Sequence, residues 1–375
     1  MIDPNVSHVA SASPASNPSA ALGEGSDVLA DLGWDAAFDE CFHAELGGLG
    51  PAASGAVPGR VLRRDRTACA VALPTGIRQV TIAPGLLHSP ADAPTTGDFV
   101  VVATGEIRAV LERRTSVMRS GFRDLSAQVL AANVDTVLAV SSLSNTFRAR
   151  RLERLLVIAW QTGAVPIVVL TKADCCDDPA GVYAAASAVA PGCSVHIVSA
   201  ITGEGIAGLA TELPPRTTAV MIGSSGAGKS TLANALSDGQ ANLETAALRS
   251  DGRGRHTTVA RELVRLANGA LMIDTPGLRA IGLWDAEEAL GDAFSDLEEL
   301  ALGCRFNDCA HDREPGCAVS DAIANGQIDR ARLESYRGLQ REQRRLAART
   351  DARLRAERAA ELRAFNKKRK QQFYR

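Results

Sequence analysis

Beyond about residue 134 the apolar residues fall into short unbroken runs separated by stretches of helical spacing. Val134–Val140 reads as a buried strand, and Ala149–Trp160 places Leu152, Leu155, Leu156 and Ala159 on one helical face. Val165–Leu170 is a second apolar strand, followed by a helix over Gly181–Val189 and a strand over Ser194–Val198. Thr218–Ile222 is again a strand, Thr231–Leu236 a helix, and Leu271–Asp274 a further strand. Strands alternating with helices in this way predict a mostly parallel sheet with helices on both faces.

The stretch from Gly59 to Arg114 has a different texture. Arg60–Leu62, Ala68–Leu73, Ile77–Ile82 and Asp98–Ala103 are short β-prone runs, with turns at Leu73–Gly76 and Thr95–Asp98. So many short strands in so little chain predict a small β-barrel, of which the oligonucleotide-binding type is one possibility. Arg60, Arg63, Arg64, Arg66 and Arg78 make it basic, and Phe99 is its sole aromatic residue. A nucleic-acid-binding barrel and any other small β domain fit that pattern equally. Residues 1–55 are rich in Ala, Ser, Gly and Pro and read as a low-complexity leader, with room for a short helix near Trp34–Leu46. Beyond Gln327 the chain is rich in Ala, Arg, Glu and Leu without proline, which predicts a long helix.

Composition changes the picture in two places. No run of about 18 apolar residues is present, so no membrane-spanning helix is expected. The net charge of −2 conceals an asymmetry: no Lys or Arg precedes Arg60, whereas Asp329–Arg375 holds 16 Lys or Arg against 6 acids. An acidic head and a basic tail ending in Lys367–Lys370 point to a phosphate-bearing partner such as RNA, against the plainer alternative of a solvated helix.

The chemistry centres on Gly223-Ser224-Ser225-Gly226-Ala227-Gly228-Lys229-Ser230-Thr231, which matches G-x-x-x-x-G-K-[ST] between a predicted strand and a predicted helix. Its glycines let backbone N–H groups turn inward around a polyphosphate, and the helix N-terminus adds partial positive charge. Lys229 is placed to reach the terminal phosphates, and Ser230 to ligate Mg²⁺. Thr171-Lys172-Ala173-Asp174 and Ser199-Ala200 end the two strands before this loop. In that position a carboxylate accepts from guanine N1–H and the exocyclic amine, the Lys stem lies along the ring, and the Ser-Ala loop offers an N–H to O6. Adenine reverses the donor and acceptor pattern, so Asp174 favours GTP and GDP over ATP. Downstream, Asp274-Thr-Pro-Gly277 is a D-x-x-G signature, with Asp274 directed at Mg²⁺ and the Gly277 N–H at the γ-phosphate. Between them Gly252–Thr258 is basic and Gly-rich, and Thr257 and Thr258 are candidates to close on Mg²⁺. Leu278 stands where many GTPases place a water-orienting Gln, which leaves His256 as the local candidate for that role or for an RNA contact.

The base-reading loops precede the phosphate loop, the reverse of the ordinary order, so the chain resembles a circularly permuted GTPase. Arg255-His256-Thr257-Thr258, Asp274–Gly277, Ser335-Tyr336 and a cysteine cluster extend the resemblance to the bacterial ribosome small-subunit-dependent GTPase A family over about residues 60–340. The resemblance implies a multi-domain protein: an N-terminal oligonucleotide-binding-type barrel (56–114), a permuted α/β P-loop GTPase domain (115–284) and a C-terminal helical zinc-binding domain (285–340). A leader (1–55) and a basic tail (341–375) flank these. It also implies slow GTP hydrolysis stimulated by the small ribosomal subunit during its late maturation, with contacts to rRNA. A cytoplasmic monomer is the expected setting. Thr171 departs from the usual Asn of the base-reading motif, and a looser hold on the base is the expectation from that change.

Cys304-x₄-Cys309-x-His311-x₅-Cys317 offers three thiolates and an imidazole. A complete soft set of four favours tetrahedral, structural Zn²⁺. Cys41, Cys69, Cys175, Cys176 and Cys193 lack such spacing and read as ordinary thiols, with Cys175–Cys176 beside the base loop open to oxidation.

Overall fold

The computed structural model describes residues 28–89, 92–119, 128–143, 147–237, 261–274, 287–312 and 314–350. Two helices come first, α1 (Val28–Asp31) and α2 (Ala36–Leu49), the second capped by the Asp35 carboxylate, which accepts from the Ala37 and Phe38 amides. The short helix expected near Trp34–Leu46 is α2, while the reading of a low-complexity leader is corrected from residue 28 onward. Phe38 and Phe42 lie one turn apart on α2 and are buried against Phe99, with Trp34 edge-on to Phe99 at 5.3 Å. That apolar cluster is what draws an otherwise Ala- and Gly-rich segment onto the barrel.

Five strands follow: β1 (Val57–Arg64), β2 (Ala68–Leu73), β3 (Gly76–Ile82), β4 (Phe99–Ala103) and β5 (Glu106–Val110). They pair in the order β1-β2-β3-β5-β4, and β4 returns to β1, closing the barrel. Val61, Cys69, Val71, Val80, Val100, Val102 and Ile107 fill its interior. All of β4 is buried because Val100 and Val102 face inward while Phe99 and Val101 face α2. Arg60, counted above among the basic barrel residues, is 1% exposed and so unavailable to a nucleic acid. Its guanidinium donates to the carbonyls of Leu32, Gly97 and Asn133 and to Thr218 Oγ1, and it lies over the Phe99 ring. One side chain thereby ties the N-terminal helices, the barrel and the following domain together.

A hairpin of β6 (Ser116–Arg119) and β7 (Gln128–Ala132) leads into the α/β layer. Its elements are β8 (Thr136–Ser142), α3 (Ala149–Trp160), β9 (Val165–Thr171), α4 (Pro179–Ser187), β10 (Ser194–Ile197), α5 (Ile206–Thr211), β11 (Thr218–Ile222), α6 (Lys229–Leu236), β12 (Glu262–Arg265) and β13 (Leu271–Asp274). The strands run β10-β9-β8-β11-β13 in parallel, and β12 joins antiparallel beside β13. Alternate residues serve opposite faces: Val137 and Ala139 pack in the core with Leu152 and Leu156, and Leu138 and Val140 in the core with Leu209 and Leu232. The sheet does not stop at β12, which pairs with β1 of the barrel through Arg63 and Glu262.

The last helices are α7 (Glu287–Ala293), α8 (Ser295–Ala301), α9 (Ala318–Ala324) and α10 (Arg330–Thr350). The long helix read from composition is present, and it runs continuously across the expected boundary at residue 340. Arg332 on α10 is buried and reaches four neighbours: Glu153 on α3 (3.1 Å), the Val189 carbonyl (3.3 Å), the Ala293 carbonyl (3.0 Å) and Asp296 on α8 (2.6 Å). This buried cation pins the C-terminal helices to the α/β domain.

Candidate guanine-nucleotide site and metal centre

Parallel α/β sheets bind ligands at the carboxyl ends of their strands. Here β9, β10 and β11 all deliver their terminal loops to that edge. The loop after β11 turns on Gly223, Gly226 and Gly228, with φ of 149°, 78° and 87°. At Gly223 the demand is steric as well, since an added Cβ would run into the Val140 carbonyl oxygen of neighbouring β8. Ser224, Ser225 and Gly226 are exposed at the rim while Ala227 is buried beneath. Lys229, the first residue of α6, folds its ammonium back into the curl, donating to the Gly223 and Ser224 carbonyls at 2.8 Å each. Ser230 and Thr231 follow on the first turn of α6, half-buried. The curl is thus lined by backbone, one cation and a hydroxyl-bearing helix start, the set that a polyphosphate requires.

The loop after β9 meets this cradle directly. Thr171 Oγ1 donates to the Ala227 carbonyl at 2.6 Å, and Gly228 faces the same hydroxyl, where a Cβ would stand 3.3 Å away. Thr171 is 2% exposed, so its side chain braces the phosphate loop from behind and does not face a base. The departure from Asn thus places a buried hydroxyl against the glycine-rich loop.

Lys172 takes the left-handed conformation at φ 63°, which turns the chain sharply, and Asp174 two residues on is exposed. Ala173 N donates to the Val198 carbonyl, fastening this loop to the strand end that leads to Ser199. Ser199 is fully buried, and its hydroxyl donates to Asp174 Oδ1 at 2.5 Å while accepting from the Ile201 and Thr202 amides. That bond, followed by one from the Cys175 thiol to Oδ2 at 3.1 Å, holds the Asp174 carboxyl below its ordinary range. Ala200 follows at the same turn. His256, Thr257, Thr258 and Gly277 lie outside the described residues; Asp274 is the last residue of β13, beside β11.

The cysteine module closes as its spacing predicts. The ligand atoms of Cys304, Cys309, His311 and Cys317 all lie within 4.8 Å of one another. Cys304 Sγ is 3.5 Å from His311 Nδ1 and 4.0 Å from Cys317 Sγ, and Cys317 Sγ is 3.6 Å from His311 Nδ1. A tetrahedron with Zn–S bonds of about 2.3 Å has edges close to these lengths, whereas a disulfide does not. The positive φ of His311 (58°) and Gly316 (77°) brings the ends together, and the Glu314 carboxylate accepts from the Ala310 and Asp312 amides. Burial opposes a thiolate at Cys317, but hydrogen bonds from Ser320 and the His311 ring outweigh it and hold that thiol at about 6.

A family model described as RsgA GTPase matches residues 110–284. A protein of Streptomyces coelicolor named small ribosomal subunit biogenesis GTPase RsgA is 46% identical over 339 residues, 88% of this chain and 90% of its own length. The chain belongs to the RsgA GTPase family. A Streptomyces avermitilis protein of the same name is 45% identical over 88% of this chain and 90% of its own. Among solved structures, YjeQ from Thermotoga maritima superposes with a TM-score of 0.57 at 25% identity, covering 76% of this chain and 97% of its own. YloQ, titled a circularly permuted GTPase, gives 0.56 at 25% identity, with coverages of 78% and 96%. The inverted loop order read from the sequence agrees with this likeness to a circularly permuted GTPase.

Sequence reasoning singled out the loops after β9, β10 and β11 and missed their fastenings. Arg60 stood out only as one of several basic barrel residues, and Arg332 and Glu153 were not singled out. Their roles depend on partners far away in the chain.

Proposed function

We propose that this RsgA-family protein binds GTP and GDP across the loops after β9, β10 and β11, and hydrolyses GTP during biogenesis of the small ribosomal subunit. The observation that supports the reading is the Thr171–Ala227 bond, which joins the loop bearing Asp174 to the glycine-rich loop in a chain 46% identical to a named small-subunit biogenesis GTPase.

Asp174, held ionised by Ser199, accepts from guanine N1–H and the exocyclic amine. Lys172 lends its stem to the ring, and Ala200 offers its N–H to O6. Gly223–Thr231 wraps the phosphates, and Lys229 leaves its two carbonyl partners for the terminal oxygens. Ser230, Thr257, Thr258 and Asp274 are the residues to hold Mg²⁺, which neutralises charge developing on the phosphates. The Gly277 N–H meets the γ-phosphate, and His256 orients the attacking water in place of the apolar Leu278.

Cys304, Cys309, His311 and Cys317 would hold Zn²⁺ as a structural centre. The barrel's closure in the order β1-β2-β3-β5-β4 supports the oligonucleotide-binding type. Arg63, Arg64, Arg66 and Arg78 of the barrel, together with the basic C-terminal segment, supply cations for rRNA. The domain reading is a barrel over 56–114, a GTPase over 115–284 and a zinc domain over 285–340, acting as a cytoplasmic monomer. No helix among the described residues is long and apolar enough to cross a membrane.

The test is GTP hydrolysis by the purified protein with and without purified small subunits across a salt series. Stimulation that fades with salt is expected. Turnover indifferent to subunits at every salt concentration would refute the assignment.

A further inference from the structure

Asp174 is exposed, and the terminal torsion of an aspartate side chain is soft, so nothing in its own chemistry fixes the plane of the carboxylate. Two neighbours hold it, one at each oxygen. The Ser199 hydroxyl donates to Oδ1 at 2.5 Å, and the Cys175 thiol donates to Oδ2 at 3.1 Å. A thiol is a weak donor, but a charged acceptor strengthens the bond it makes.

Both donors are themselves held. Ser199 is fully buried, and its oxygen accepts from the Ile201 and Thr202 amides. Cys175 ends the single turn Ala173–Cys175, in which its amide donates to the Lys172 carbonyl at 3.1 Å. The next amide, of Cys176, donates to the Ala173 carbonyl at 3.2 Å, and the half-buried Cys176 side chain packs against the main core. The turn is thus anchored on its inner side by one cysteine and presents the other to Asp174. The carboxylate in turn pushes the Cys175 thiol above its ordinary range, first through their hydrogen bond. The sulfur therefore stays protonated and able to donate, and it lacks the thiolate character that oxidation requires.

An ionised carboxylate offers about four lone-pair sites, two on each oxygen. Ser199 takes one on Oδ1 and Cys175 one on Oδ2, which leaves one acceptor site on each oxygen. We propose that Cys175 is a specificity-determining positioning residue for guanine: with Ser199 it sets the carboxylate plane, so that one free site meets the base N1–H and the other its exocyclic amine. The inference rests on the guanine-pocket reading above and deepens it. A two-point bond needs carboxylate and base to be coplanar, whereas a single hydrogen bond tolerates a turned carboxylate. Loss of the thiol therefore costs guanine more than hypoxanthine, which keeps N1–H and lacks the amine.

The test is calorimetric titration of the full-length protein with GDP, inosine diphosphate and ADP. Cys175→Ala should lose about 3- to 10-fold in GDP affinity, and the preference for GDP over inosine diphosphate should shrink by most of that factor. Cys175→Ser, which keeps a donor, should recover that preference. ADP affinity, which reports the phosphate cradle and the integrity of the fold, should be the same in all three proteins. An unchanged preference in Cys175→Ala, or an alanine-like one in Cys175→Ser, overturns the proposal. So does an equal fall for ADP, which would give the thiol a merely structural role. The guanine reading fails by a different result: wild-type protein that binds ADP as tightly as GDP removes it, and the role of Cys175 with it.

Discussion

Thr171 Oγ1 donates to the carbonyl oxygen of Ala227 across 2.6 Å, joining the loop after β9 to the glycine-rich loop after β11 from a position 56 residues earlier in the chain. A parallel sheet makes this possible. β9 and β11 flank β8 and end on the same edge, so the order in which the chain visits them does not alter the pocket they form.

Thr171→Val keeps the side-chain shape and leaves the buried Ala227 carbonyl without its donor. An orphaned buried acceptor costs about 1–3 kcal/mol, so GDP affinity should fall on the order of 10-fold. The preference for GDP over ADP should survive, because Asp174 is untouched. Fluorescent-nucleotide titration of both diphosphates checks this.

Asp174→Asn exchanges an acceptor pair for one acceptor and one donor. Ser199, which donates to Oδ1, selects the amide oxygen and leaves the NH₂ facing the ligand. GDP binding should weaken about 10- to 100-fold, and xanthosine diphosphate, with a carbonyl where guanine has its amine, should bind better than GDP. Competition between the two diphosphates reads the switch.

The same carboxyl gives a pH prediction. Its folded value lies below the ordinary one, held there first by the Ser199 hydroxyl. The ionised, base-reading form is thus fully present above the ordinary carboxylate range and is lost only as pH falls through the lowered value. The GDP-to-ADP affinity ratio, in which phosphate titration cancels, should be the same at about pH 5 as at about pH 7.

The motifs of the site were legible because each is a contiguous stretch whose chemistry is set by its own residues. Gly223–Thr231 demands glycine at fixed places, and the Cys304–Cys317 spacing demands a closed set of four. What escaped was long-range. Arg60 and Arg63 look alike in sequence, yet the first is enclosed by Leu32, Gly97, Asn133 and Thr218 and the second is partly exposed. The short helix near Trp34–Leu46 was legible, but its docking was not read, although Trp34, Phe38 and Phe42 at four-residue spacing carried that signal. The extension of the sheet from β12 into β1 had no local signature, since strand pairing depends on the assembled edges.

Arg332→Ala leaves Glu153, 3% exposed, without the Arg332 cation and removes one of the ties of α10 to α3 and α8. Removing one partner of a buried pair costs about 3–5 kcal/mol. The loss should appear as a lower urea midpoint, with GDP affinity in the folded protein preserved.

The purified chain should carry one zinc ion per molecule, released by a strong chelator or by Cys317→Ser. The thermal midpoint should then fall by about 5 °C or more, because the metal closes the Cys304–Cys317 module. Nucleotide affinity should hold, since Cys304–Cys317 lies apart from the loops after β9, β10 and β11. Metal analysis and calorimetry with and without chelator check both statements.

The claim beneath all of these is that Thr171–Asp174, Ser199–Ala200 and Gly223–Thr231 form one guanine pocket. Calorimetric titration of the wild-type protein with GDP and ADP tests it most directly. GDP should bind at one site per chain, at least about 100-fold more tightly than ADP. Equal affinity for the two, or indifference to GDP, would contradict it.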